Sequence, residues 1–199
     1  MKLIILSLTA VCLLHAQAVQ IADTIGKGKK VLFVSPSALV VKSFTTLSYS
    51  FAQVGYGIND RADVYAGASE TVAFGQKQTA IIGGANILLF RTGSVSVSAY
   101  NQIGAALNRR SDSATATLYS AVLMSWTLDP KRPNRPTPYT GYSVFLPLGN
   151  AGEKLFTPPK PVHNIPVGVM IPRGNLSFFA EYGFGKKQQT LSVGVGYVF

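Results

Sequence analysis

Few side chains in this sequence could do chemistry. Hydrolysis of an ester or amide needs a nucleophile, a base and a group that orients the base. The chain has two histidines, His15 and His163, and His15 falls in an apolar leader. His163 sits in or beside a long Pro-rich connection and is followed by Asn164. No serine stands at a spacing that implies a dyad with it, so it reads as a solvated loop histidine. No metal-ligand spacing exists. The Gly-rich stretches lack the lysine of a phosphate loop. No catalytic, cofactor-binding or metal-binding residue is therefore expected.

Glu181 is the carboxylate with most to explain. Around it Leu176, Phe178, Ala180, Tyr182 and Phe184 share one phase, and Ser177, Phe179, Glu181 and Gly183 share the other. If Tyr182 and Phe184 face outward, Glu181 faces inward. A buried carboxylate alone is costly, so it should meet a cation or hydroxyls. Arg and Lys near strand ends could serve, or Tyr100 and Tyr119, which fall in the inward phase. The plain reading is a structural polar pair; the other is a pore-lining or ligand-contacting group.

The elements that position these residues begin after a leader. Lys2, the apolar run Leu3 to Leu14 and the small-x-small triplet Ala16 to Ala18 predict a secretory signal peptide over residues 1–18. The run is shorter than the ~20 residues a spanning helix needs. Cys12 is no lipoprotein site, because bulky Val11 precedes it and the apolar run continues past it. Cleavage would remove 18 of 199 residues and leave 181, one domain's worth. It would also remove the single cysteine, so no disulfide would hold the mature chain.

The mature charge balance is 17 Lys and Arg against 8 Asp and Glu once Lys2 is gone. A basic secreted protein suits nucleic acid, anionic lipid or anionic sugar. Here the charges sit mostly in the connections, which suits lipid-facing rims and not nucleic acid. Charged residues are 13% of the chain and apolar ones 47%. Soluble domains carry about 25% charge. With no spanning helix after residue 18, the composition points to strands facing lipid.

Residues 19–30 read as a leader of low order. Ten strands are predicted after it, at 31–41, 44–58, 61–74, 78–91, 94–107, 113–128, 140–148, 162–171, 175–184 and 188–199. Pro36 marks the first as irregular or an edge. Alternation is clean from the fifth strand on, with Asn101 and Ser120 the two exceptions in apolar phases. Gln53, Glu70 and Asn86 each spoil a phase earlier, where a bulge or register change is expected. Turns at Asp60, Arg91 and Arg173 alternate with connections at Gln76, Arg110, Pro158 and Lys186. If the C-terminus is periplasmic, the turns are periplasmic and the others outside. The connection from Asp129 to Thr137 is long for a periplasmic turn. A soluble β-sandwich would alternate too. Its polar face would carry Lys, Glu and Arg, however, and here that face is Ser, Thr, Gly and Ala. Aromatics also gather near strand ends (Phe74, Phe90, Trp126, Tyr182, Phe184, Tyr197, Phe199), as interfacial girdles do.

The last strand reads Leu191, Val193, Val195, Tyr197, Phe199 on one face and Ser192, Gly194, Gly196, Val198 on the other. Tyr197-Val198-Phe199, with Val193 and Val195 in phase, resembles the terminal strand of the bacterial outer-membrane β-barrel superfamily. The stretches Pro166 to Tyr197 and Val54 to Val64 are similar to the hairpins of small barrels. The resemblance implies an antiparallel transmembrane β-barrel over residues 31–199, with ten strands or, as the rival, eight. It implies the outer membrane as compartment and Val193, Val195, Tyr197 and Phe199 as a signal for the barrel-assembly machinery. Outer-membrane lipid and lipopolysaccharide would surround it, with Arg109-Arg110 and Lys186-Lys187 as outside basic pairs near lipopolysaccharide phosphates or as solubilising loop tips. A non-enzymatic role follows: structural, surface-interacting or a narrow passive pore. A lipid-modifying enzyme and a soluble binding module are the other readings.

Overall fold

The computed structural model describes residues 23–41, 44–73, 76–108, 113–128, 135–151, 161–186 and 188–199. The expected signal peptide, Arg109, Arg110, Lys187 and the proline-rich stretches 129–134 and 152–160 lie outside the described residues. The strands are β1 (Lys30–Val41), β2 (Phe44–Asn59), β3 (Ala62–Ala73), β4 (Gln76–Thr92), β5 (Val95–Asn108), β6 (Ser113–Trp126), β7 (Thr137–Ala151), β8 (Val162–Arg173), β9 (Leu176–Gly185) and β10 (Gln188–Val198). Each pairs antiparallel with its chain neighbours, and β1 pairs with β10 to close a ten-stranded barrel. The eight-stranded count is excluded. Among the described residues no helix is long and apolar enough to cross a membrane.

Closure removes every edge, so the backbone hydrogen bonds of the wall are satisfied within the wall. Pro36 is the one place where the closing seam must be mended. The β1–β10 ladder runs from Val34↔Val195 to Ser37↔Ser192 and skips Pro36, which has no N–H to give. The Ser35 hydroxyl donates to the Val193 carbonyl at 2.7 Å instead. The expected irregularity is there, but β1 is no edge.

Period-two alternation separates two environments. Large apolar side chains stand exposed on the outward face of all ten strands, among them Val34, Val54, Val64, Ile81, Ile103, Val122, Tyr142, Val167, Phe178 and Leu191. A soluble monomer rarely exposes a contiguous apolar surface beyond a few hundred Å². The core is therefore the lumen, and the protein is apolar outside.

Gln53 and Asn86 need no bulge: both face the lumen and are buried. The register irregularities of these strands come later, between Gly57 and Asn59 in β2–β3 and between Leu88 and Phe90 in β4–β5. Glu70 remains outward, where Lys77 pairs with it at 3.2 Å. The β2–β3, β4–β5 and β8–β9 turns share one end of the barrel with residues 23–30 and Phe199, where Lys30 and Phe199 exchange two backbone hydrogen bonds. Gly93 (φ 51°) and Gly174 (φ 60°) supply the left-handed conformation in two of those turns.

Residues 23–29 of the expected low-order leader are held in place, tied into the mouth at the turn end. Ile25 N–H donates to Asp63 at 3.0 Å, Asn86 donates to the Asp23 carbonyl at 3.0 Å, and Arg91 pairs with Asp23. Gly28 N–H reaches the Gly57 carbonyl at 2.8 Å. Gly57 is glycine for a steric reason, since a Cβ there would strike the Gly26 carbonyl. Residues 19–22 lie outside the described residues.

Candidate functional site

The lumen is where inward polar chemistry collects, and rings fill it. Phe33, Tyr49, Phe51, Tyr65, Tyr100, Tyr119, Phe145 and Phe179 form a buried cluster with Leu123 and Ile82. Tyr65 meets Tyr100 edge-on at 6.1 Å between centroids, and Tyr100 meets Tyr119 at 5.8 Å.

A small barrel holds so many rings because glycines lie opposite them. Gly55 is the cross-strand partner of Tyr65, Gly168 of Tyr139, Gly194 of Phe179 and Gly196 of Phe33. A Cβ at Gly55 would come within 2.6 Å of the Tyr65 ring, and at Gly196 within 2.6 Å of Phe33. At Gly168 and Gly194 it would run into the rings of Tyr139 and Phe179. Each ring thus folds flat across the wall over a neighbour with no side chain. The Ser, Thr, Gly and Ala phase read from the sequence is the set of small residues that makes this room.

Glu181 faces the lumen as expected, buried between Gly168 and Ser192. Its partner differs from the expected candidates. The Tyr139 hydroxyl donates to Glu181 Oε2 at 2.9 Å. Tyr100 is buried in the lumen but donates to Gln102 at 2.6 Å, and Tyr119 packs against the Tyr100 ring. Tyr139 falls just before the strand expected from Thr140, because Pro136 and Pro138 precede it and read as a connection. β7 begins at Thr137, and the phase of Gly141, Ser143 and Phe145 continued backwards reaches Tyr139. Near the turn end a second buried group forms, in which Tyr65 donates to Asp63 at 3.2 Å.

At mid-barrel the described inward side chains are shut off from solvent. Leu123 and Ser98 are 0% exposed, Tyr100 and Ser143 1%, and Glu181 2%. In an open channel, inward side chains at this level would be wet.

His163 is not on a loop. It is the second residue of β8, exposed on the outward face, with its Nδ1 2.6 Å from the Tyr142 hydroxyl and the two rings stacked at 5.8 Å. The assembly-signal candidates also face outward: Val193, Tyr197 and Phe199 are exposed, Val195 is half-buried, and the Tyr197 and Phe199 rings stack at 6.1 Å. These four form one apolar stripe along β10.

No protein-family model and no curated relative matches the sequence. Solved structures do share its architecture. An outer-membrane channel from Pseudomonas putida F1 superposes with a TM-score of 0.55 at 9% identity, over 89% of this chain and 98% of that one. The β-domain of the Bordetella autotransporter BrkA superposes with a TM-score of 0.51 at 10% identity, over 86% of this chain and 99% of that one. At such identities the likeness is one of fold. The chain has the fold of the bacterial outer-membrane β-barrels.

Proposed function

We propose that the protein resides in a bacterial outer membrane as a non-enzymatic barrel with a plugged lumen, acting structurally or through its surface. The observation that carries this reading is the dryness of the inward face, from Ser98 and Leu123 to Glu181. A ten-stranded wall whose described inward face is packed with tyrosine and phenylalanine supports this form over a narrow passive pore. In this reading Glu181, Tyr100 and Tyr119 are structural lumen groups. Outer-membrane lipid surrounds the apolar band, and the loop end meets lipopolysaccharide, with Lys186 among its exposed basic groups. The stripe Val193, Val195, Tyr197 and Phe199 is read by the barrel-assembly machinery. His163 supports no enzyme here, because it points outward from the wall with Tyr142 as its hydrogen-bond partner.

Reconstitution into planar bilayers tests the function. The expected trace is flat, without unitary steps. Stable, ohmic steps from the purified wild-type chain would overturn the plugged reading.

Depth-dependent mutagenesis tests the membrane setting separately. Ile103→Arg, at mid-strand on the outward face, is expected to lower unfolding free energy in vesicles by about 2–4 kcal/mol. Leu176→Arg, at the turn-end rim, should cost about 0–1 kcal/mol. Urea unfolding in lipid vesicles reads both, and equal small costs would argue against a hydrocarbon-facing wall.

A further inference from the structure

Asn101 and Ser120, the two exceptions to the apolar phase from the fifth strand on, are partners. They stand directly opposite one another across β5 and β6. The Ser120 hydroxyl donates to Asn101 Oδ1 at 2.7 Å, on the outward face. Both sit at mid-strand, in β5 (Val95–Asn108) and β6 (Ser113–Trp126). About 20 Å of strand separates Asn101 from the turn end. They lie in a shallow groove of about 210 Å³ that Ala99 keeps low and that Val122, Tyr142 and Val144 wall in.

The pair is unfinished. The hydroxyl takes one lone pair of Oδ1, and the Asn101 amide hydrogens have no acceptor among the described residues. Acyl chains offer none, and headgroups lie far above and below this depth. At mid-bilayer the remaining source of acceptors is another protein. An asparagine amide is self-complementary: it donates through Nδ2 and keeps a second lone pair on Oδ1. Two copies related by a two-fold axis would place Asn101 against Asn101 and complete both amides reciprocally. Ala99, two residues along the same face, leaves the amide reachable from outside the wall.

We propose that the β5–β7 face, centred on Asn101, is the interface of a homodimer in the membrane. This rests on the reading that the outward face meets lipid, and the test separates the two. The full chain carries Asn101→Cys, or Val54→Cys on the outward face of β2 as control, in cells of a diderm host. Cys12 is the single native cysteine and falls in the predicted signal peptide. Isolated membranes are treated with a short thiol-specific cross-linker. The expected result is a covalent dimer from Asn101→Cys and none from Val54→Cys. Ala99→Cys, two residues along the same face, gives a second chance if the first variant fails the heat-modifiability check. Asn101→Leu should weaken dimerisation in detergent-free nanodiscs about tenfold, the scale of one or two intramembrane polar contacts. Folded, membrane-inserted protein that yields no dimer from either groove cysteine overturns the interface. So does cross-linking from Val54→Cys to the same extent, or a monomer that retains lipid in the groove. A chain recovered in the soluble fraction would instead refute the membrane reading itself.

Discussion

Gly168→Val should destabilise the barrel by about 4 kcal/mol, the sum of two separate losses. Gly168 lies opposite Tyr139, and a Cβ there would run into the Tyr139 ring. The neighbouring backbone is held in a closed ladder and cannot retreat, so the ring must leave. Overpacking of this kind costs about 1–3 kcal/mol. The displaced ring takes its hydroxyl away from Glu181, which is 2% exposed and has Tyr139 at 2.9 Å. An orphaned buried polar group adds about 1–3 kcal/mol, more if it is charged. Tyr139→Phe isolates the second loss, since it keeps the ring and removes only the donor. Tyr139→Ala combined with Gly168→Val relieves the first. Unfolding midpoints of the four proteins in lipid vesicles then separate steric from hydrogen-bonding cost. Equal stability of Gly168→Val and wild type would mean that the ring does not lie on the glycine.

That prediction turns on a pairing the sequence only half displayed. Alternation alone showed which residues share a face, because side chains on a strand must alternate whatever surrounds them. It placed Glu181, Tyr100 and Tyr119 in the inward phase, and Val193, Tyr197 and Phe199 in the outward one. It could not say which inward residue meets which, since that depends on the register between strands. Gly168 and Tyr139 are 29 residues apart and become neighbours only through the β7–β8 ladder. The same holds for Asn101 and Ser120, each legible as an exception and neither legible as the other's partner. Proline hides Tyr139, because Pro136 and Pro138 read as a connection, although the barrel wall accepts Pro138 as the second residue of β7. Residues 23–29 carry no periodicity at all. Their place in the mouth depends on Asp63, Asn86 and Arg91, which lie on other strands.

Phe199→Asp should leave the purified barrel almost as stable as wild type yet strip it from the membranes of growing cells. The contrast follows from where Phe199 sits. Its side chain is 58% exposed and stacks on Tyr197 outside the wall, so no lumen contact depends on it. Its backbone closes on Lys30 through two hydrogen bonds, and those survive a change of side chain. A carboxylate at the rim of a lipid-facing strand costs only about 0–1 kcal/mol. Refolding into detergent micelles, read by heat-modifiability, should therefore be near wild type. If the apolar stripe Val193, Val195, Tyr197 and Phe199 is read during assembly, a charge at its end interrupts the one feature of β10 that another protein can grip before the barrel exists. Folded protein in the membrane fraction should then fall to a small remnant, with the rest degraded or soluble in the periplasm. Equal loss in cells and in micelles would make Phe199 a structural residue. Normal levels in both would remove it from any recognition role, and β10 would then serve closure alone.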